Sequence, residues 1–310
     1  MDASNRAFDE ASPPTAPIQY SSTEALNFDR QEVEQAGKRK PQGNVTVFCD
    51  GVNLKYKVHV KRSLNAGPAR LFGHSHRSYL ALRGVSLAVR EGEFVGLVGR
   101  NGSGKSSLLR VLAGVEPPSS GIVLTSAEPQ LLGVNAALLP EISGHDNITL
   151  GLLALGMTPK QVEAKRDEVA ELTQLGDALH LPMRAYSSGM GARLRFAISV
   201  AADPEILMID EALATGDAAF MERSRRAMSS MLERAGTVFL VSHAAQTVEE
   251  LCTRAIWLDG GQIIADGPAV DVARAYRWYA HNLAEGNTEK AAGLLVEAAH
   301  DFPNPYRLIN

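Results

Sequence analysis

The sequence predicts an α/β protein built on a largely parallel sheet, with a helical insertion in its middle. Three observations predict it. Short aliphatic runs at Phe94–Val98, Ile206–Ile209 and Val238–Val241 read as strands buried on both faces. A glycine-rich loop and then a helix follow the first of these runs. The stretch from about Ile142 to Val200 is patterned as helix and separates the first run from the second. Strand–loop–helix units in succession give a parallel sheet, because each helix must cross back over the sheet face.

A chain of 310 residues holds one large domain or two small ones. Its 45 % hydrophobic content supplies a full core without metals or disulfides. A formal charge of −4 argues against a nucleic-acid binder held by phosphate attraction. Cys49 and Cys252 stand far apart with no Cys/His cluster, which fits a reducing compartment and ordinary thiols. No stretch approaches the roughly 18 to 20 apolar residues that span a bilayer. The first residues lack the basic-then-apolar order of a secretory signal. Any membrane role is therefore expected to run through a partner.

Residues 1–43 read as a disordered tail: Pro13, Pro14, Pro17 and Pro41 break any helix, and no apolar period emerges. The basic cluster Lys38, Arg39, Lys40 closes it as a solvated linker or a contact for anionic headgroups. Val45, Val47 and Phe48 suggest a first strand, and Leu82 to Val89 a second. After the turn Glu91-Gly92-Glu93 comes the buried strand Phe94–Val98, then the loop and a helix through Ser106 to Ala113, which Pro117, Pro118 and Gly121 end. Thr158-Pro159 opens a helix of the middle segment, with Val162, Val169, Leu172 and Leu175 at helical spacing. Ala255 to Ala265 alternates about Asp259-Gly260-Gly261 as a hairpin does. From Pro268 the pattern is helical, with Val272, Tyr276, Tyr279 and Leu283 on one face. The expected domains are 1–43 as tail, 44–280 as the folded unit with its helical part near 142–200, and 281–310 as a short helical tail.

Gly99-Arg100-Asn101-Gly102-Ser103-Gly104-Lys105-Ser106 fits the phosphate-loop pattern at every fixed position, between a strand and a helix as that pattern requires. The glycines let backbone N–H groups turn inward around an anion, and the helix start adds its positive end. Lys105 can reach β- and γ-phosphates as a point charge; Ser106 can take one position on Mg²⁺, and Ser107 continues the phosphate-facing turn.

The run Ile206–Ile209 ends in Asp210-Glu211. A buried parallel strand delivers such carboxylates at its C-terminal end, where α/β sheets hold their ligands. There Asp210 can bind Mg²⁺ through water, and Glu211 can accept the proton of an attacking water. Elsewhere an Asp-Glu pair is a solvated strand end. His243, after Val241-Ser242, ends the next strand within reach of the γ-phosphate; a lone histidine there is more often structural. Ser187-Ser188-Gly189 opens a helix over Gly191 to Ala201, and a serine-capped helix start binds anions well.

Together these residues resemble the ABC-transporter ATPase family. Its phosphate loop matches Gly99–Ser106, its signature motif Ser187-Ser188-Gly189, its acidic strand end Asp210-Glu211, its switch histidine His243, and its dimer-contact loop Ala214-Thr215-Gly216-Asp217 with the acid at Asp217. The resemblance covers about residues 44–280. It implies the fold of that family: a phosphate-loop core, an antiparallel β subdomain and an α-helical subdomain. It implies ATP and Mg²⁺ as ligands, and a head-to-tail homodimer in which Ser188 and Gly189 of one subunit contact the γ-phosphate held by the other. It further implies two copies of a polytopic permease, a peripheral location on the cytoplasmic face of the membrane, and no direct membrane contact.

A narrower resemblance is to exporters of O-antigen, teichoic acid and cell-wall galactan. It rests on Tyr186–Met190 followed by Arg193-Leu194-Arg195-Phe196, on Ile209–Ala214 with Gly216-Asp217, on Leu131 to Asn147, and on the insertion Lys61 to Phe72. It implies a lipid-linked glycan as cargo. Three departures stand beside it. Gln130 lies a few residues early for the family's Mg²⁺-contacting glutamine, Met190 replaces the usual signature glutamine, and the roughly 30 residues after Tyr279 are too few for a carbohydrate-binding domain. Glu289 to His300 reads as a short amphipathic helix with Leu294 and Leu295 inward.

An aromatic ring upstream of the phosphate loop is expected to stack on adenine. Tyr56, Tyr79 and His59 are the candidates, with Tyr56 placed first. The region Glu141 to Leu155 is the expected groove for the membrane partner. The competing readings are a drug-exporter or importer ATPase and a soluble ABC-type ATPase. The soluble types carry a second cassette or a long coiled coil, and this sequence shows neither.

Overall fold

The computed structural model describes residues 44–59, 76–132, 138–202, 204–210, 226–227, 229–232, 234–242 and 244–306. The N-terminal tail, the insertion Lys61 to Phe72, Gly133, Glu211, the Ala214–Asp217 loop and His243 lie outside them.

Two sheets carry the molecule. The first is antiparallel, ordered β2-β1-β4, from β1 (Val45–His59), β2 (His76–Arg90) and β4 (Ser120–Thr125). The second is ordered β5-β6-β7-β3-β8-β9. It contains β3 (Phe94–Val98), β5 (Gln130–Leu131), β6 (Ile206–Ile209), β7 (Thr237–Val241), β8 (Arg254–Asp259) and β9 (Gln262–Pro268), and only β9 pairs antiparallel.

β1 and β2 run well past the expected Val45–Phe48 and Leu82–Val89. The β1 ladder changes register between Val45 and Val47, Cys49 and Val52, Val52 and Leu54, and Leu54 and Lys55. The shift between Cys49 and Val52 turns the inward-facing set over, from Val47 and Cys49 to Val52 and Leu54, so a period-two reading loses the strand there. β4 was not expected from the pattern at all. It is an edge strand whose Ile122 and Leu124 are exposed, so apolar residues there do not mark the inside.

The core between the sheets joins Val47, Cys49, Leu82 and Leu87 to Val95, Leu97, Met208 and Phe239, with Leu108, Leu109 and Leu112 of α1 (Lys105–Leu112) packed among them. On the other face of the parallel sheet, α5 (Ala245–Leu251), α6 (Ala269–Ala284) and α7 (Thr288–Asp301) bury Trp257 against Tyr276 and Tyr279. In α7 the fully buried positions are Ala291 and Ala298, with Leu294 and Leu295 half-buried beside them.

Arg254 pins the sheets together. It makes two hydrogen bonds to Asp266, at 2.6 and 2.7 Å, and reaches Glu93 at 3.1 Å and the Ala88 carbonyl at 2.8 Å. The C-terminal segment returns over this point, where Tyr306 lies under the Arg254 guanidinium and Asn304 donates to the Ser86 carbonyl.

A separate helical layer has its own core. α2 (Gly144–Ala154), α3 (Pro159–Thr173) and α4 (Ser188–Val200) bury Ile148, Leu152, Val162, Val169, Leu194 and Ile198 together. α3 starts where Thr158-Pro159 predicts, with a reciprocal cap between Thr158 and Gln161. α4 belongs to both bodies: Phe196 and Val200 at its C-terminal end pack against Leu207 and Ile209 of β6.

Candidate functional site

Strand order decides what meets what. β3, β7 and β6 are parallel neighbours, with Leu97 beside Val241 and Ile209 beside Leu240. Their C-terminal ends therefore form one edge. At roughly 4.8 Å per strand, the phosphate loop after β3 and Asp210 after β6 stand about 10 Å apart across it. That separation suits a phosphate chain with a metal ion between its oxygens and the carboxylate.

The loop itself turns into α1 at Gly104, whose φ of 108° is left-handed and whose position caps the helix without a side chain. An added Cβ would lie 2.8 Å from the Ala81 carbonyl oxygen, so only glycine fits. The first N–H groups of α1 are thus aimed at the cleft with no side chain covering them, which is the arrangement that draws anions. Lys105 is 5 % exposed; its Nζ donates to the carbonyls of Gly99 at 2.7 Å and Arg100 at 3.0 Å. Those carbonyls hold the ammonium at the rim of the loop. Ser103 is buried, and among the described residues its hydroxyl finds no hydrogen-bond partner. Asn101, Gly102, Gly104, Lys105, Ser106 and Ser107 line a cleft of about 310 Å³ together with Tyr79, Ala81 and Val241. Ser106 and the half-buried Asp210 both carry oxygen donors, the chemistry Mg²⁺ takes.

The ring that lines this cleft is Tyr79. Tyr79 is 51 % exposed, and its hydroxyl donates to the Gly102 carbonyl at 3.2 Å. Tyr56 is its cross-strand partner in β1 but points its hydroxyl at Glu116, at 2.8 Å, and packs against the inter-sheet core. Burial raises the Tyr56 phenol above its usual range; a hydrogen bond with the Ser107 hydroxyl opposes the shift and the Glu116 carboxylate adds to it. Sequence position could not separate the two, since both precede the loop, and register pairs them; the contacts of each hydroxyl in the folded chain tell them apart. The His59 side chain lies outside the described residues.

Gln130 is not at the cleft. It is buried, and its amide donates to the Ser199 carbonyl at 2.6 Å, tying β5 to the last turn of α4. Its early position in the sequence is therefore matched by a structural task.

Ser187 caps α4, accepting from the Met190 N–H at 3.3 Å, and both Ser187 and Ser188 are exposed. With 1.5 Å per residue, Ser188 stands about 18 Å from Val200 along the helix axis. The serine end is therefore held well away from β6.

Pattern reading missed what anchors the segment ahead of it. Met183 N–H donates to the Ile142 carbonyl, Arg184 N–H donates to the Pro140 carbonyl, Ser143 and Pro182 form an isolated bridge, and Arg184 pairs with Glu141. Asn147, fully buried, completes this lock through the Leu139, Ile142 and Ser143 carbonyls and the Leu139 N–H. The sequence shows only an Asn in the first helical turn; its burial, and with it the need to satisfy every polar atom, came with the fold.

Fold and loop together define the class, a phosphate-loop nucleotide-binding protein. The ABC transporter family profile matches residues 82–214. The chain is 40 % identical over 241 residues to a teichoic acids export ATP-binding protein TagH of Listeria monocytogenes, covering 76 % of this chain and 72 % of that one. It is 34 % identical to the TagH of Staphylococcus saprophyticus, covering 75 % of this chain and 88 % of the relative. An O-antigen export system ATP-binding protein, RfbB of Myxococcus xanthus, is 41 % identical, with 67 % of this chain and 48 % of the relative covered. Against RfbB and the TagH of Enterococcus faecalis, the matched region spans about half the relative's length. The chain belongs to the ABC transporter family.

Among solved structures, a dimeric post-hydrolysis ATP-binding cassette bound to ADP and Pi aligns with TM-score 0.53 at 20 % identity, over 72 % of this chain and 98 % of that one. The ATP-binding subunit of an ABC transporter aligns with TM-score 0.56 at 18 % identity, over 74 % and 93 %. These two establish the fold. No helix among the described residues is long and apolar enough to cross a membrane.

Proposed function

We propose that this chain is the ATP-binding and ATP-hydrolysing subunit of an exporter that moves a lipid-linked polysaccharide across the cytoplasmic membrane through a separate polytopic permease. One observation carries the reading. The phosphate loop and the Asp210 strand share one sheet edge, while the serine-led start of α4 stands exposed about 18 Å along its helix from that sheet. Two half-sites on different bodies of one chain suit a nucleotide sandwiched between two copies placed head to tail.

In that arrangement the loop N–H groups and Lys105 bind the phosphates, Tyr79 faces the base, and Glu211 takes the proton of the attacking water. His243 orients the γ-phosphate, and Ser187, Ser188 and Gly189 of the second copy close over it. Asp217 lines the contact between copies. Ser106 and, through water, Asp210 would hold Mg²⁺, which supplies neutralisation of the phosphate oxygens. The segment Glu141 to Leu155 meets the permease, which is expected in two copies, and the subunit sits peripherally on the cytoplasmic face. The names of its relatives support a glycan cargo.

The test is Glu211→Gln. This variant should bind ATP normally, turn over at least about 100-fold more slowly, and become dimeric by light scattering only with ATP. Full turnover would remove the base assignment, and a monomer at saturating ATP would remove the sandwich. For the cargo, cells whose only copy is Lys105→Ala should keep lipid-linked glycan on the inner leaflet. Normal surface glycan would refute export.

A further inference from the structure

The tip of the β8–β9 hairpin makes contacts that turning the chain does not require. Gly260 and Gly261 both have positive φ, 52° and 81°, yet their surroundings differ. A Cβ on Gly260 would meet nothing within 4 Å, whereas one on Gly261 would lie 2.5 Å from the Ala81 carbonyl oxygen and 3.2 Å from the Leu82 Cα. The Gly261 N–H donates to the Ser103 carbonyl at 3.0 Å, and its carbonyl accepts from the Arg83 N–H at 2.8 Å. One residue thus joins the phosphate loop to β2. Gly104 closes the junction from the loop side against the same Ala81 oxygen. The contacts are backbone to backbone, so no rotamer change can relieve a clash there.

β2 also carries Tyr79, two residues before Ala81, and the Tyr79 hydroxyl reaches the Gly102 carbonyl. Ring and loop are therefore linked twice, by that hydroxyl on the open side of the cleft and by Gly261 on the buried side. A ring facing the base and a loop facing the phosphates serve one ligand only if their separation is right.

Resting on the nucleotide reading above, we infer that Gly261 is a positioning residue that sets the spacing between the Tyr79 ring and the phosphate loop, so that the cleft prefers a phosphate chain carrying a base to a bare one.

The experiment compares ATP with inorganic tripolyphosphate by calorimetry on the full chain, with magnesium chelated to prevent turnover. Gly261→Ala should weaken ATP binding about tenfold, the scale of one stacked base, and leave tripolyphosphate within about twofold. Gly260→Ala should change neither. The double variant Tyr79→Ala, Gly261→Ala should bind ATP no more weakly than Tyr79→Ala alone, because both remove one coupled interaction. A Gly261→Ala protein that keeps the wild-type ratio of the two affinities, whether both are normal or both fall alike, overturns the inference.

Should that variant not fold, amide hydrogen exchange on the wild type reads the same junction. ATP should protect the Gly261 amide more than tripolyphosphate does, and equal protection overturns the inference. A wild-type protein that binds neither ligand refutes the nucleotide reading itself, and the inference with it.

Discussion

Two helix starts in this chain are suited to anions, and they are built in opposite ways. The start of α1 is enclosed: Lys105 and Ser103 are buried, Gly104 is wedged against β2, and the β8–β9 turn hydrogen-bonds the loop from behind. The start of α4 is bare: Ser187 and Ser188 are exposed, and the cap is one local bond from the Met190 N–H. The enclosed site has everything it needs within one chain, so its backbone is locked at each end. In the sandwich proposed above, the bare one remains open for a second molecule. Its rigidity comes from behind, through the Ile142–Met183 and Pro140–Arg184 hydrogen bonds and the Asn147 hub. The difference teaches that one chain can hold one helix start by enclosing it and another by anchoring the segment behind it while leaving its tip exposed.

The largest effect should come from the enclosed end. Lys105→Ala should weaken ATP binding by about 100-fold or more, since a charge-assisted contact to phosphate is lost. Titration calorimetry checks this, and a normal affinity would break the contrast at once. At the bare end, Ser188→Arg should leave ATP affinity of the isolated subunit unchanged within about twofold while abolishing ATP-driven dimerisation and turnover. If that variant still dimerises with ATP, the exposed serines are not the second half-site.

A smaller effect separates the two tyrosines. Tyr79→Ala should cost about tenfold in ATP affinity and Tyr56→Ala less than about twofold, because the Tyr79 ring lines the cleft while Tyr56 turns its hydroxyl to Glu116. The reverse order would restore Tyr56 as the platform.

The smallest effect reports on the core behind the loop. Cys49 packs in the same cluster as Leu108 and Leu109 of α1, and burial pushes its thiol up to about 12. Its folded value is raised, so this contribution to stability is complete below the ordinary thiol value of about 8.5 and is lost as pH climbs from there towards 12. Native protein should resist alkylation at Cys49 near pH 8, and Lys105→Ala should resist equally. Faster labelling of that variant would show that its defect is unfolding.

The phosphate loop was legible because its chemistry is local. Eight consecutive residues, Gly99 to Ser106, carry both the backbone freedom and the charge that a triphosphate needs. The parallel strands were legible for a related reason, since Phe94–Val98 and Ile206–Ile209 are buried along their whole length and read as unbroken apolar runs. The serine start of α4 was visible from its cap, and the Asp259-Gly260-Gly261 turn from its glycines.

Tertiary structure alone decided the rest. The register shifts in β1 hid most of that strand, and the packing of β2 against the phosphate loop put the Tyr79 ring in the cleft lining. The crossing of strands brought Asp210 beside a loop more than a hundred residues earlier. The packing of a hairpin turn against β2 separated Gly261 from Gly260, which the sequence presents as equals. The physical reason is the same in each case. A sequence states the conformational preferences of neighbouring residues, whereas which ring, carboxylate or amide faces a given atom depends on contacts between segments that only the folded chain brings together.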